Sequence, residues 1–325
     1  MNEVETKDVG TTDLSAYMMR VIEELRRDRK PPAVHIYACT LRSFIRFSCS
    51  GEEECSMLME EVFTPGRLKE YELTQNTIST YMRTLRAVYN RWMPPGTAEH
   101  NPRLFDDVYT GVVSQTKRAL TARQMEQLLA ADLSGLSPQQ QAVLAYFLLM
   151  FLLRGMPFID LAHLRKRDMQ DGRITYSRHK TDKPITVRIP REALALIAKY
   201  ADRHSASPYL FPILDAGIRD GWLSYRNYQD ALRHFNRKLE QVMSRLLPGV
   251  RVSSYMARHT WATLAFHSGQ PVGIISQALG HSSLRVTETY LKPFGNELVD
   301  KANRQLIASV RKCKWKNETG YRAGL

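Results

Sequence analysis

The sequence predicts a mainly α-helical fold, divided into an N-terminal helical bundle and a larger α-rich unit that holds one small antiparallel β-sheet. Three observations support this prediction. The chain has 325 residues, a length typical of about two domains. Apolar residues recur at helical spacing through most of the chain. Only residues 172–190 alternate between apolar and polar side chains in the manner of paired strands.

The N-terminal unit is predicted to span residues 13–112 as four or five packed helices. The helical patterns cover residues 13–28, 33–48, 53–63 and 73–93. Proline-containing breaks at 30–32, 64–66 and 94–96 separate or end them. The polar, acidic residues 1–12 are expected to form a flexible N-terminus.

Basic side chains in the last of these helices suggest a nucleic-acid surface. Arg83, Arg86 and Arg91 are interleaved with aromatic residues along 73–93. Such a face is typical of a surface that follows phosphates. A merely solvated helix face explains the same pattern equally well, so both interpretations stay open.

The second unit is predicted to follow a linker at 113–120 and to extend over residues 121–295. Thr121 is a good helix N-cap, because helix formers follow it. Helical patterns then cover 138–154, a short stretch after Pro157, 191–203, 224–247 and the region from 254 onward. Residues 172–190 form the predicted hairpin, and 296–325 form a C-terminal helix and a polar tail.

Composition narrows the class of protein. The chain carries 46 Lys and Arg against 33 Asp and Glu, a net charge of +13, which favours a polyanionic partner such as double-stranded DNA. No apolar run reaches the length of a membrane span. The four cysteines lack metal-site spacing. The start of the chain does not resemble a signal peptide, and we therefore expect a cytoplasmic protein.

Four short patches in the second unit contain side chains that bind or attack phosphate. They are "LLRGMPFID" with Arg154, "SRHKTDKP" with Lys180, "SSYMARHTWAT" with Tyr255, Arg258 and His259, and "LGHSS" to "TETYL" with His281 and Tyr290. Each patch alone has an ordinary structural explanation, such as an ion pair between Arg154 and Asp160. Only their combination points to one kind of chemistry.

Taken together, the patches resemble the tyrosine recombinase (phage integrase) family. Arg258 precedes His281 by 23 residues, and Tyr290 follows His281 by nine, as in the family's Arg-His-Thr block, Leu-Gly-His block and nucleophilic tyrosine. The resemblance covers about 120–292 and is closest to the integrase and invertase branch of mobile elements. It implies that the N-terminal bundle is a core-binding domain with a SAM-like fold.

The resemblance also implies a mechanism. Tyr290, expected on a short helix, would attack a DNA phosphodiester and form a 3′-phosphotyrosyl intermediate. Arg154, Arg258, Tyr255 and His281 would hold the phosphate, and Lys180 at the hairpin tip would protonate the leaving oxygen. Asp160 would brace the arginines. Because the phosphotyrosyl bond stores the energy for rejoining, no ATP, metal or other cofactor is expected.

The sequence departs from the family pattern at two positions. The block that normally begins with histidine has Tyr255 instead, and a phenol donates a hydrogen bond but is a poor base at neutral pH. The first arginine normally follows a Gly-Leu pair, where this chain has Gly-Met and then Pro157. Arg154 lies before that glycine and would reach in from the end of the preceding helix.

Three functions therefore remain open from sequence alone. The first is a site-specific recombinase that integrates, excises or inverts DNA, as a homotetramer on two duplexes. In that case the apolar face at 296–310, with Leu298, Ala302 and Leu306, would dock on a neighbouring protomer, although docking on its own domain is equally compatible. The second is a non-catalytic DNA-binding protein on a decayed recombinase scaffold. The third is a type IB topoisomerase.

Overall fold

The computed structural model describes residues 13–49, 57–73, 78–110, 119–218, 220–291, 299–300 and 303–310. It divides into two compact units. The first contains Met1–Ser114 and Gly217–Asn227, and the second contains Gln115–Ala216 and Tyr228–Leu325. Both are mainly helical, and the single sheet has three antiparallel strands. The predicted fold class is therefore confirmed.

The first unit is a bundle of five helices that surround one apolar core. They are α1 (Leu14–Arg27), α2 (Pro31–Ser48), α3 (Met59–Val62), α4 (Pro65–Leu73) and α5 (Ile78–Trp92). Asp13 is the N-cap of helix α1, and its carboxylate accepts from the Ala16 amide at 3.0 Å and the Met57 amide at 2.8 Å. Met18, Phe44 and Leu85 are among the fully buried core residues.

Two prolines that the sequence pattern predicts to be helix breaks lie at the start of helices. Pro31 is in the first turn of α2, and Pro65 is the first residue of α4. A proline in the first helical turn costs nothing, because the amide it lacks has no intrahelical partner there. The break expected at 64–66 is thus followed at once by a helix that the sequence patterns did not predict.

The second unit contains eight named helices among its described residues and carries the sheet. The elements are α6 (Ala122–Leu129), α7 (Pro138–Leu152), α8 (Phe158–His163), β1 (Met169–Gln170), β2 (Arg173–Ser177), β3 (Pro184–Arg188), α9 (Arg191–Tyr200), α10 (Gly221–Leu246), α11 (Met256–His267), α12 (Val272–Leu279) and α13 (Leu284–Glu288). The first residues of α10 belong to the first unit.

Helix α7 is the central element of this unit. It is apolar on all sides, and eight of its residues are buried, as expected for a helix surrounded by other elements. Capping boxes begin both α6, at Thr121, and α7, at Ser137. The predicted N-cap role of Thr121 is confirmed, and Pro157 is the N-cap residue of α8.

The predicted hairpin is confirmed and has a defined register. Ile174 pairs with Val187, and Tyr176 pairs with Ile185. These four side chains are buried, while the alternate positions are exposed. The hairpin closes where the Arg178 amide donates to the Lys183 carbonyl at 2.9 Å. This pairing fixes which side chains face inward at the hairpin tip.

The C-terminal region is described only in part. Residues 303–310 are helical and exposed, and they carry the apolar residues Leu306, Ile307 and Val310. Leu298 and Ala302, which the sequence placed on the same apolar face, lie outside the described residues, as do 1–12 and most of 113–120. None of the described helices combines the length and hydropathy that a bilayer span requires.

Candidate active site

The site is built around Arg258, a guanidinium buried in the second unit with 2% of its surface exposed. Its Nη1 donates to the Gly155 carbonyl at 2.9 Å, and its Nη2 donates to the Leu279 carbonyl at 2.7 Å. Burial lowers the pKa of Arg258, and the nearby positive charge of Arg178 lowers it further. Backbone carbonyls from two different segments therefore hold the cation in one orientation.

Two glycines allow this close approach. A Cβ at Gly155 would lie 3.1 Å from the Arg258 Cα. At Gly280 the backbone has φ +66°, and a Cβ would lie 2.6 Å from the Ile185 Cδ1. Gly280 ends α12 in the left-handed conformation. The turn leaves the preceding Leu279 carbonyl facing the guanidinium.

His281 comes next and is fixed through both ring nitrogens. Its Nε2 lies 2.9 Å from the Arg258 Nη2, and its Nδ1 lies 2.9 Å from the hydroxyl of the buried Thr287. Since a guanidinium can only donate, Nε2 accepts and Nδ1 carries the proton. Burial, followed by the charges of Arg258, Arg178 and Lys180, lowers the pKa of His281 to about 4. The imidazole is therefore neutral at physiological pH.

Tyr290 lies beside this pair. The sequence placed it on a short helix, but α13 ends at Glu288, and Tyr290 is in the turn that follows. Its ring centre is 4.9 Å from the His281 ring centre and 5.5 Å from the Arg258 Cζ. Its amide donates to the Thr287 carbonyl at 2.9 Å. The turn thus places the phenol against the cation and the imidazole.

A second phenol touches the first. The hydroxyl groups of Tyr255 and Tyr290 are in hydrogen-bond contact, although Tyr255 itself is 47% exposed. The His259 ring lies 4.8 Å from the Tyr290 ring and 5.0 Å from the Tyr255 ring. Desolvation and the contact with Tyr290 raise the pKa of Tyr255. Tyr255 therefore keeps its proton near neutral pH and can act as a hydrogen-bond donor.

Lysines of the hairpin tip approach the same region. Lys180 is exposed, and its charge contributes to the lowered pKa of His281. The Lys183 Nζ lies 3.4 Å from the His281 carbonyl oxygen. The hairpin is in this way joined to the segment that carries the histidine, and Lys180 extends from it into solvent.

Asp160 is buried below the hairpin and holds Arg178. The Asp160 Oδ1 accepts from the His179 amide at 2.9 Å. Its Oδ2 is 2.8 Å from the Arg178 Nε, an ion pair in which the N–H is not directed at the oxygen. Burial raises the pKa of Asp160, against the influence of the His179 amide and the charges of Arg178 and Arg258.

Arg154 lies outside the contacts that join the other predicted site residues. It follows the end of α7 with φ +61°, and its Nη1 is 3.4 Å from the Thr186 carbonyl oxygen on β3. The described contacts of Arg154 include neither Arg258, His281 nor Tyr290. The structure therefore brings together five predicted site residues, with Asp160 linked to them through Arg178, and leaves Arg154 at the edge of the sheet.

The N-terminal arginines have varied surroundings. Arg83 is exposed and contacts only its own helix, at the Ser79 carbonyl and the Thr80 hydroxyl. Arg86 donates to the Thr110 hydroxyl at 3.0 Å and lies over the Phe105 ring. Arg91 is paired with Glu24. These last two make structural contacts, and Arg83 has the most available charge of the three.

Arg178 is not among the site residues predicted from the sequence, although the sequence contains a signal for it. Ile174 and Tyr176 are inward-facing residues of β2. Position 178 continues the same alternation and is 7% exposed. An arginine in the inward phase of a strand is a buried charge that requires partners.

Comparison with known proteins places the chain in a family. The model of the phage integrase family matches residues 118–297, which is more than half of the chain. The chain therefore belongs to the phage integrase family, the tyrosine recombinases.

Individual relatives agree with this assignment. The tyrosine recombinase XerA of Pyrococcus furiosus is 28% identical over 153 residues, which are 46% of this chain and 50% of that protein. The chain thus spans about half the length of this relative. The tyrosine recombinase XerC of Halalkalibacterium halodurans is 27% identical over 282 residues, covering 85% of this chain and 91% of that protein.

Solved structures share the fold at low identity. The integrase of transposon Tn1549, solved in complex with a circular intermediate DNA, has 15% identity and a TM-score of 0.61, covering 90% of this chain and 99% of that one. The XerH recombinase, solved on a palindromic difH substrate, has 16% identity and a TM-score of 0.61, covering 89% of this chain and 83% of that one.

Proposed function

We propose that this protein is a site-specific DNA recombinase that cleaves and rejoins DNA strands through a 3′-phosphotyrosyl intermediate. One observation carries the proposal. The Arg258 guanidinium, oriented by two carbonyls, is hydrogen-bonded to His281 and lies 5.5 Å from the Tyr290 ring centre. A nucleophile and a fixed anion-binding group are thus neighbours. The proposal includes the predicted cytoplasmic location, since the substrate is intracellular DNA.

The proposed reaction is an exchange of phosphodiester bonds. The Tyr290 oxygen attacks phosphorus as its proton leaves to solvent, and the bond from phosphorus to the 5′-oxygen breaks. Lys180 gives a proton to that oxygen. Arg258 stabilises the charge that builds on the non-bridging oxygens. Attack by a 5′-hydroxyl of another strand reverses these steps, and the number of P–O bonds is unchanged throughout.

The neutral state of His281 suggests its part in this reaction. With Nε2 accepting from Arg258 and Nδ1 donating to Thr287, the imidazole orients the arginine. It can also donate to a phosphate oxygen after a change of partners. Tyr255, whose raised pKa keeps it protonated, is proposed as a second donor toward the phosphate. Arg154, the further phosphate ligand expected from the sequence, is left out of this proposal, because its Nη1 is 3.4 Å from the Thr186 carbonyl oxygen and its described contacts include neither Arg258, His281 nor Tyr290.

The proposed partner is double-stranded DNA, held by both units, with a homotetramer assembled on two duplexes. The net charge of +13 supports the first part. The exposed apolar residues Leu306, Ile307 and Val310 of segment 303–310 support a protein contact at the C-terminal helix. We propose that this helix docks on a neighbouring protomer.

The test of the function is covalent capture of DNA. Wild-type protein is incubated with a pool of nicked random-sequence duplexes, and DNA that stays attached in SDS is amplified and sequenced. We expect one duplex sequence to be enriched, and its adduct to be absent with Tyr290→Phe. Tyr255→Phe is the matched control, because it removes the neighbouring hydroxyl and should slow adduct formation without abolishing it.

Two outcomes would contradict the proposal. If wild-type protein enriches no duplex in SDS but binds DNA on filters, the non-catalytic scaffold is the better description. If an adduct forms but labelled strands never exchange between two duplexes, the protein is a topoisomerase.

A further inference from the structure

Arg178 is a buried charge that the family motif does not include. It follows β2 at the point where the hairpin closes, and 7% of its surface is exposed. Removing a guanidinium from water costs free energy unless charged or polar partners replace the lost hydration. The choice of partners therefore indicates why an arginine occupies this position.

The partners of Arg178 connect it directly to the candidate active site. Its Nη1 donates to the Leu279 carbonyl at 2.5 Å. The Arg258 Nη2 donates to that same oxygen at 2.7 Å. Two guanidiniums thus converge on one carbonyl, immediately before Gly280 and His281. Asp160 orients the Arg178 group from the other side, at 2.8 Å from Nε.

The charges in this cluster do not balance. Among the described residues, Asp160 is the one carboxylate in an ion pair with Arg178, and the charge of Arg258 also acts on it. The Arg178 charge also acts on Arg258, Tyr255 and His281. Within the described part of the chain, no contact occupies the Arg178 Nη2. A buried excess of positive charge with a donor left over is complementary to an anion.

Arg154 offers a poorer arrangement for the same task. It is only partly buried, and its Nη1 lies 3.4 Å from the Thr186 carbonyl oxygen. Its described contacts do not include Asp160, so no carboxylate orients its guanidinium fork there.

We propose that Arg178 supplies the second guanidinium of the active site and binds a non-bridging oxygen of the scissile phosphate together with Arg258. In this chain Pro157 stands where the family pattern has its first arginine. Arg178, on the hairpin two residues before Lys180, would supply the guanidinium instead. The inference rests on the proposed recombinase function. It assigns the phosphate-binding pair to Arg178 and Arg258 and makes Arg154 dispensable for cleavage.

The experiment uses the full chain and the nicked duplex enriched by wild-type covalent capture. The variants are Arg178→Lys, which keeps the charge without the planar fork, and Arg178→Gln. The matched variant is Arg154→Gln. We expect both Arg178 variants to form the adduct at least about 100-fold more slowly than wild type, and Arg154→Gln to stay within a few-fold of wild type. Filter binding of the uncleaved duplex should change little in all three.

A second substrate separates phosphate binding from a structural role. The scissile phosphate is replaced by a methylphosphonate, which carries no charge on the reacting group. This substrate lacks the negative charge that Arg178 is proposed to neutralise. The Arg178→Gln adduct should therefore form on it at a rate approaching that of wild type. A merely structural defect would persist on both substrates.

The results that would overturn this inference differ from the result that would overturn the proposed function. The inference is overturned if Arg178→Lys and Arg178→Gln cleave the ordinary duplex as wild type does, if they stay inactive on the methylphosphonate, or if they lose duplex binding together with cleavage. Failure of wild-type protein to form any adduct would instead count against the proposed recombinase function.

Discussion

His281 is held between a cation that can only donate and a buried hydroxyl, and its protonation state follows from that position. Adding a proton to the ring would break the contact in which Nε2 accepts from Arg258 and would place two positive charges 2.9 Å apart. Burial acts in the same direction. The residue is therefore built to stay neutral while it orients the guanidinium.

This state predicts a pH dependence of stability. The pKa of His281 is about 4 in the folded protein against an ordinary 6.5, so between these values the unfolded chain binds the extra proton. Wild type should lose stability relative to His281→Gln as the pH falls from 6.5 toward 4, and the difference should be constant above that range. Thermal unfolding of both proteins across this pH range measures it. A difference that does not change with pH would contradict a neutral, buried His281.

A separate prediction concerns the proposed acid role of Lys180. If it protonates the leaving 5′-oxygen, Lys180→Ala should cut adduct formation by about 100-fold or more. A 5′-bridging sulfur in place of that oxygen should restore the rate, because a thiolate leaves without a proton. Lys183→Ala is the matched variant from the same turn, since its Nζ lies against the His281 carbonyl, and its defect should not be corrected by sulfur. Equal behaviour of both variants on the sulfur substrate would remove Lys180 from the acid role.

Among the secondary-structure elements, the end of α12 sets the position of the Leu279 carbonyl. Gly280→Ala should lower the free energy of unfolding by about 1–2 kcal/mol for the left-handed backbone, with more from the Cβ 2.6 Å from Ile185. Gly273→Ala in the same helix meets nothing within 4 Å and should be neutral or stabilising by up to about 1 kcal/mol. Urea unfolding compares the two. Equal stability of both variants would show that this turn does not constrain the site.

Much of the secondary structure could be predicted from the sequence. The Thr121 cap, the hairpin and the central helix follow from local patterns of 10 to 20 residues. Helix α4 was missed because Pro65 looks the same in a sequence whether it ends one helix or opens the next. Arg178 was missed because burial of a charge depends on Asp160 and Leu279, which the fold brings together from distant parts of the chain. Motif spacing predicted that Tyr290 lies near Arg258 and His281, as it does in the structure, but it predicted a helix where Tyr290 lies in a turn.

At the scale of the whole molecule, charge should control DNA affinity. The protein carries a net +13, so the logarithm of the DNA association constant should fall linearly with the logarithm of salt concentration. Arg83→Ala should reduce that slope by about 1, because the residue is exposed and contacts only its own helix. Arg91→Ala should change the slope less, since Glu24 already pairs with it. Filter binding at several salt concentrations measures both. Identical slopes for Arg83→Ala and wild type would place Arg83 away from the DNA.

If Tyr290 is the nucleophile, it is the residue that becomes joined to DNA, and this can be checked by mapping the covalent bond. Wild-type adduct on the captured duplex is digested with trypsin and nuclease, and mass spectrometry locates the tyrosine that retains the nucleotide. We expect a nucleotide on Tyr290 alone. A nucleotide on the adjacent Tyr255, or on any other residue, would contradict it.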